Sequence, residues 1–121
     1  MIRDWKEYKG QITGAVREIG ASNPDLVKAY AAFHHAVSAS KHLDAKTCEL
    51  IALAVAVTLR CDGCINVHSE AATRHGASKD EIADALGVAV MVNAGATMVY
   101  SAHVIDALKA YSPLPKTEVK P

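Results

Sequence analysis

Large aromatic rings are scarce in this chain: one Trp, one Phe and four Tyr among 121 residues. Half the sequence is nonetheless apolar, carried mostly by Ala, Val, Leu and Ile, a composition suited to closely packed helices. Neither sign of charge is in excess. Thirteen acids balance thirteen bases, no Lys/Arg-rich run occurs, and nucleic-acid binding is not expected. Cysteine is sparse and odd in number, three residues with two in a C-x-x-C, which excludes the disulfide framework of a small secreted domain. The opening MIRDWKEYKG lacks an apolar signal core. The uncharged apolar run Leu50–Leu59 is about half the roughly 20 residues a bilayer span requires. These absences predict a soluble cytoplasmic protein with no membrane association. One domain is expected over 1–112, followed by a loose, proline-bearing tail over 113–121.

Strand alternation is also lacking, and the fold class expected is all-α, with about six helices. Trp5, Tyr8, Ile12, Val16 and Ile19 form one stripe of a first helix over Asp4–Ile19, which Gly20 is expected to end. Asn23 and Pro24 read as N-cap and first residue of a second helix bearing Leu26, Tyr30, Phe33 and Val37 on one side. Asp44 or Thr47 caps a third helix, apolar nearly all round from Leu50 to Leu59 and expected to be buried on every side, in the core or between subunits. A turn from Arg60 to Gly63 leads to a fourth helix, Cys64 to about Arg74, closed by Gly76. Ser78 and Glu81 make a capping box for a fifth helix running to Val92. Asn93 and Gly95 should break it before a sixth, about Thr97–Ala110. This much apolar helix surface also predicts a homo-oligomer.

Chemistry concentrates in ELIALAVAVTLRCDGCINVH, Glu49 to His68. Cys64 falls in the first turn of its helix, with Asp62 as the expected cap. Unpartnered backbone N–H groups and the helix dipole favour the thiolate there, and the thiolate is the reactive form. His68, four residues on, shares a face with Cys64 and is placed to act as its base. Cys61 lies where a disulfide can close across the turn, as a resolving thiol. Glu49 is the only side chain between Lys46 and Arg60 that is ordinarily charged at neutral pH. Two readings of it stand side by side: a buried acid paired in a proton relay to His68, or a first-turn residue facing solvent. The pattern C-x2-C-x3-H also admits zinc, with Glu49 or another His as fourth ligand, although structural zinc sites usually draw on two separated ligand pairs. Haem attachment is excluded by Ile65, since it needs His directly after the second Cys, and no βαβ setting suggests a thioredoxin fold. Of the other histidines, one of His34 and His35 should face solvent, His42 and His75 lie near helix ends, and His103 reads as a core or interface residue. Cys48 reads as a small buried hydrophobe, and Met91, Met98 and Tyr100 as packing.

The combination E-x11-C-x2-C-x3-H, filled by Glu49, Cys61, Cys64 and His68, resembles the alkylhydroperoxidase D-like branch of the carboxymuconolactone decarboxylase family. ELIALAVA, ASKDEIADAL and GATMVYSAHVIDAL support it, and the likeness covers about Asp44 to Leu108, with NPDLVKAYAAFHHA more loosely. The resemblance implies an all-helical homo-oligomer, trimer or hexamer, working as a hydroperoxide-reducing enzyme. Cys64 would be the peroxidatic thiol, Cys61 the resolving thiol, His68 the base and Glu49 part of the proton relay. An external dithiol would return the disulfide to the reduced state, with no cofactor and no resident metal. The decarboxylase branch lacks this cysteine pair. Some members of the peroxidase branch carry a second histidine just before the second cysteine, where this chain has Gly63. The alternatives are a general dithiol–disulfide oxidoreductase or redox sensor, and a zinc-bearing or structural helical oligomer.

Overall fold

The computed structural model of the chain describes residues 1–39 and 41–111; the expected loose tail lies outside them. The described residues form six helices and no strand: α1 Trp5–Ser22, α2 Pro24–Ser38, α3 Ala45–Leu59, α4 Asp62–Arg74, α5 Lys79–Tyr100 and α6 Ala102–Leu108. The chain divides after Ala89, within α5, into two compact units.

In the first unit, Asp4 caps α1 by accepting from the N–H groups of Lys6 and Glu7 at 3.1 and 3.0 Å. Gly20 does not end this helix, which continues to Ser22. The missing side chain serves a close approach instead: a Cβ on Gly20 would stand 3.0 Å from Cγ2 of Val27 on α2. Asn23 closes one helix and opens the next. Its N–H donates to Ile19 O at 2.8 Å, and its side-chain oxygen accepts from Leu26 N at 3.2 Å, ahead of Pro24 at the first helical position.

Asp44, not Thr47, caps α3: its carboxylate accepts from the N–H of Thr47 at 2.7 Å, a bond that holds the Asp44 carboxyl below its usual value. The expectation that α3 is buried on every side fails within this unit. Leu53 and Ala56 are buried, but Ile51, Val55, Val57 and Leu59 are exposed. One face of α3 packs on α4, whose own buried residues, Ala71 and Ala72, are small enough for close helix approach. α1 packs on α2 and α4. Gly76, at φ +79°, ends the α4 region in the left-handed conformation that favours glycine.

The expected capping box forms at the start of α5, Ser78 Oγ accepting from Glu81 N at 3.0 Å and Glu81 accepting from Ser78 N at 2.8 Å. The other carboxylate oxygen of Glu81 meets Lys46 of α3 at 2.8 Å, and that contact foremost holds the Glu81 carboxyl below its ordinary value. The expected break at Asn93 and Gly95 is absent. Neither residue has a positive φ, and α5 runs through both to Tyr100. Interruption comes at Ser101, where Ser101 Oγ bonds back to Thr97 O at 2.7 Å and Thr97 Oγ1 to Asn93 O at 3.0 Å. Such back-bonding competes with the regular ladder and bends helices. The sixth helix is accordingly shorter than Thr97–Ala110.

In the second unit, every described residue from Val90 to Tyr111 is exposed. Met91, Met98 and Tyr100 therefore do not pack into a core, and neither does His103, whose ring lies 4.3 Å from that of Tyr100. Lys79–Leu108 is long and apolar enough by length and composition to cross a bilayer, a longer stretch than the Leu50–Leu59 run.

Candidate functional site

The site is built on the joint between α3 and α4. Arg60, at φ +53°, is the only non-glycine residue with positive φ among the described residues, and it stops α3 in the left-handed conformation. The chain reverses there, and Cys61 N–H bonds back to Ala56 O at 3.1 Å. Cys61 then becomes the N-cap of α4, its sulfur facing the N–H of Cys64 at 3.2 Å. The expected cap, Asp62, sits one place later as the first helical residue. Cys64 is in the first turn, as its spacing predicts. Cys61 and Cys64 are joined as a disulfide with Cα atoms 5.3 Å apart, within the ordinary span of such a bond.

One turn beyond Cys64, His68 Nδ1 lies 2.7 Å from Glu49 Oε2 on α3. The two side chains retain 25% and 20% of their exposure, so the pair is shielded but not dry. Glu49 thus does not face solvent at the start of its helix; it is turned toward α4. With Glu49 ionised, the ring presents its Nδ1–H to the carboxylate and leaves Nε2 with a free lone pair, the tautomer a base needs. All four expected residues therefore sit at one helix–helix joint. Gly63 is open: nothing lies within 4 Å of where its Cβ would stand, so the absence of a side chain is not a packing requirement.

Glu49 and His68 also line a cavity of about 480 Å³, a size typical of small-molecule sites. Its other walls include Tyr30, Phe33 and Val37 of α2 and Leu43 of the α2–α3 connection. Cys48 lies in the same wall, half-buried with its sulfur 4.0 Å from Leu43 O, rather than being a fully buried hydrophobe. His34, stacked edge-on against Tyr30 at 4.8 Å, and His75 reach this cavity; His35 and His42 do not line it. Sequence reasoning missed this enclosure. The Tyr30/Phe33/Val37 spacing signals an apolar helix face, but nothing in it says that the face overlooks Glu49. Among the described residues no three His, Cys, Asp or Glu side chains converge as a metal-binding group.

A further set of contacts, also unseen in the sequence, fastens the N-terminal segment to α4. Arg3 pairs with Asp62 at 3.1 Å, Asn66 Nδ2 donates to Trp5 O at 2.7 Å, and Lys9 pairs with Glu70.

A sequence profile described as the carboxymuconolactone decarboxylase family matches residues 24–107. An uncharacterised protein of Haemophilus influenzae is 47% identical over 112 residues, covering 93% of this chain and 96% of that one. A Paracoccus denitrificans protein, "uncharacterized protein 4 in cox locus", is 36% identical over 89 residues, 74% of this chain and 80% of that one. Among solved structures, an apo carboxymuconolactone decarboxylase family protein from Legionella pneumophila superposes with a TM-score of 0.69. The two are 30% identical, with 90% of this chain and 97% of that one covered. A Methanobacterium thermoautotrophicum protein matches with a TM-score of 0.65 at 30% identity, over 69% of this chain and 94% of that one.

Proposed function

The chain belongs to the carboxymuconolactone decarboxylase family, and on that premise we propose that it is a thiol peroxidase cycling Cys61 and Cys64 between dithiol and disulfide. The observation that carries this reading is the joining of the two sulfurs one helical turn from a His68 already held by Glu49. In the first step the Cys64 thiolate attacks the distal oxygen of a hydroperoxide. The O–O bond breaks, sulfur is oxidised to sulfenic acid, and the leaving alkoxide takes a proton. His68 first takes the Cys64 thiol proton on Nε2, Glu49 stabilising the charged ring that forms, and then passes that proton to the leaving alkoxide, returning to the neutral imidazole. The Cys61 thiol then attacks the sulfenic sulfur, releasing water and closing the disulfide. An external dithiol reduces it by exchange through a mixed disulfide, restoring both thiols. The net reaction converts hydroperoxide and dithiol to alcohol, water and disulfide.

The aromatic and aliphatic walls that Glu49 and His68 share support an organic hydroperoxide over hydrogen peroxide, which has no apolar part to bury. Cys61 and Cys64 are not among the lining residues, so the peroxide end would reach out of the cavity past His68. Intact mass of pre-reduced protein, before and after a stoichiometric pulse of an organic hydroperoxide, tests the reading. The expected result is loss of two hydrogens, mapped to a Cys61–Cys64 bond. Both thiols remaining free would sink it.

The working form is proposed to be a homo-oligomer. Val90, Met91, Val92, Met98, Val99 and Val104 are each more than half exposed along α5 and α6, an apolar surface with no cover in its own unit. A second copy of the chain is the occupant argued for, because Asn93, Thr97, Ser101 and His103 interrupt the stretch with polar groups that suit a protein interface better than lipid. Light scattering at micromolar concentration should give a multiple of 12.8 kDa. A monomer, or material that pellets with vesicles, would overturn it.

A further inference from the structure

α4 carries a second row of residues, on a different face from Cys64 and His68. Asp62, Asn66 and Glu70, at four-residue steps, are each held by the N-terminal segment, through Arg3, the Trp5 carbonyl and Lys9 respectively. The Lys9–Glu70 pair is an exposed surface contact, of a kind that contributes little. Arg3 differs from it. Its guanidinium carbon lies 4.3 Å from the Tyr8 ring centroid and 5.9 Å from that of Trp5, and the two rings meet edge to face at 6.1 Å. A planar cation seated on such a platform keeps less freedom than an ordinary surface arginine. Its partner, Asp62, is the first residue of α4 and lies between the two cysteines in sequence.

A carboxylate at that place works against the site. Negative charge beside a sulfur disfavours the thiolate that the helix N-terminus otherwise promotes. We propose that Arg3 is a positioning residue of the dithiol: by pairing with Asp62 it offsets the charge of a carboxylate that shares the first turn of α4 with the cysteine pair and directly follows Cys61, and so keeps the thiol reactive at neutral pH. The inference rests on the dithiol reading above but not on peroxide as the substrate. The other charged groups near the sulfurs are His68, paired with Glu49, Arg60, which directly precedes Cys61, and the Lys9–Glu70 pair two turns further along α4. All are unchanged in the variants compared below, so a difference between variants reports on Arg3 and Asp62. Reduction adds two electrons and two protons to the disulfide, and one of the resulting thiols ionises. A group that favours the thiolate therefore also makes the disulfide easier to reduce.

The test is the pH profile of alkylation of the reduced protein by iodoacetamide, with the modified cysteine mapped by mass. Wild type is compared with Arg3→Gln, Arg3→Lys, Asp62→Asn and the Arg3→Gln/Asp62→Asn double variant. Both partners are about two-fifths exposed, at 41% and 42%, so solvent screens the pair and a full buried-pair shift is not expected. Arg3→Gln should raise the midpoint by about half a pH unit, cutting the thiolate fraction about threefold below it. Part of that loss is offset because a more basic thiolate is more nucleophilic, leaving alkylation slower by about twofold at pH 7. Arg3→Lys should retain most of the wild-type profile. The double variant should return to the wild-type midpoint or below, since no carboxylate then remains to be offset. The disulfide of Arg3→Gln should also resist dithiothreitol by up to about threefold in its equilibrium constant. An unchanged midpoint in Arg3→Gln, or a rise that Asp62→Asn fails to reverse, would overturn the proposal and leave Arg3 as a packing residue on Trp5 and Tyr8. No hydroperoxide enters these measurements, so a protein that does not consume peroxide still reports on Arg3.

Discussion

Cys64→Ser is expected to abolish hydroperoxide consumption, bringing turnover with a saturating dithiol down to the uncatalysed background. Serine fills the same space in the first turn of α4, but its hydroxyl does not ionise near neutrality and cannot be carried to a sulfenic acid. Cys61→Ser should behave differently. Attack by Cys64 still proceeds, and no second thiol is present at the N-cap to condense with the product. The enzyme should then stop after one turnover with a sulfenic acid on Cys64. Dimedone traps that species as a mass adduct, and excess peroxide carries it on to the sulfinic acid. Peroxide consumption and intact mass, measured on the two variants in parallel, fix the order of the sulfurs. Normal turnover by Cys64→Ser would show that the roles are assigned wrongly.

His68→Asn should slow the first oxidation of pre-reduced protein by about a hundredfold, the lower range of what a positioned acid–base group contributes. Glu49→Gln keeps the shape of its partner but replaces an obligate acceptor with an amide that also donates. The 2.7 Å contact to Nδ1 then no longer fixes which ring nitrogen carries the proton. A loss of about tenfold or more is expected, by the same logic that makes the orienting carboxylate of other His-based sites indispensable. Stopped-flow single turnovers isolate this step from reduction. Should His68→Asn oxidise as fast as wild type, the proton for the leaving alkoxide comes from elsewhere.

Much of this site is legible in the chain because it is local. Cys61, Cys64 and His68 fall within eight residues, and their three- and four-residue steps place them on one face over successive turns. Capping chemistry is equally local, which is why Asn23, Gly76 and the Ser78/Glu81 box are found where the sequence puts them. Errors arise where a competing contact decides. Gly20 and Gly95 look like helix breakers, yet one accommodates Val27 and the other simply continues the ladder. Asp62 looks like a cap, but the left-handed Arg60 shifts the start of α4 so that Cys61 takes that position. Glu49 lies between the two cases: its isolation in an apolar run marks it as unusual, while its direction depends on how α3 meets α4. The Arg3–Asp62 contact and the cavity wall on α2 are long-range, and no periodicity within either segment encodes them.

Among the described residues, the buried apolar ones are one leucine and four alanines, Leu53, Ala56, Ala71, Ala72 and Ala89. Each alanine withdraws little area from water, so the protomer's interior supplies a modest share of the hydrophobic free energy that folding needs. In the homo-oligomer proposed above, the remainder would come from surface covered on assembly, and folding and association would form a single mass-action equilibrium in which the fraction of ordered chain rises with total protein. Dilution would then act on the proposed oligomer as a mild denaturant does, and making more of the protein would raise the ordered fraction of the chain as well as its amount.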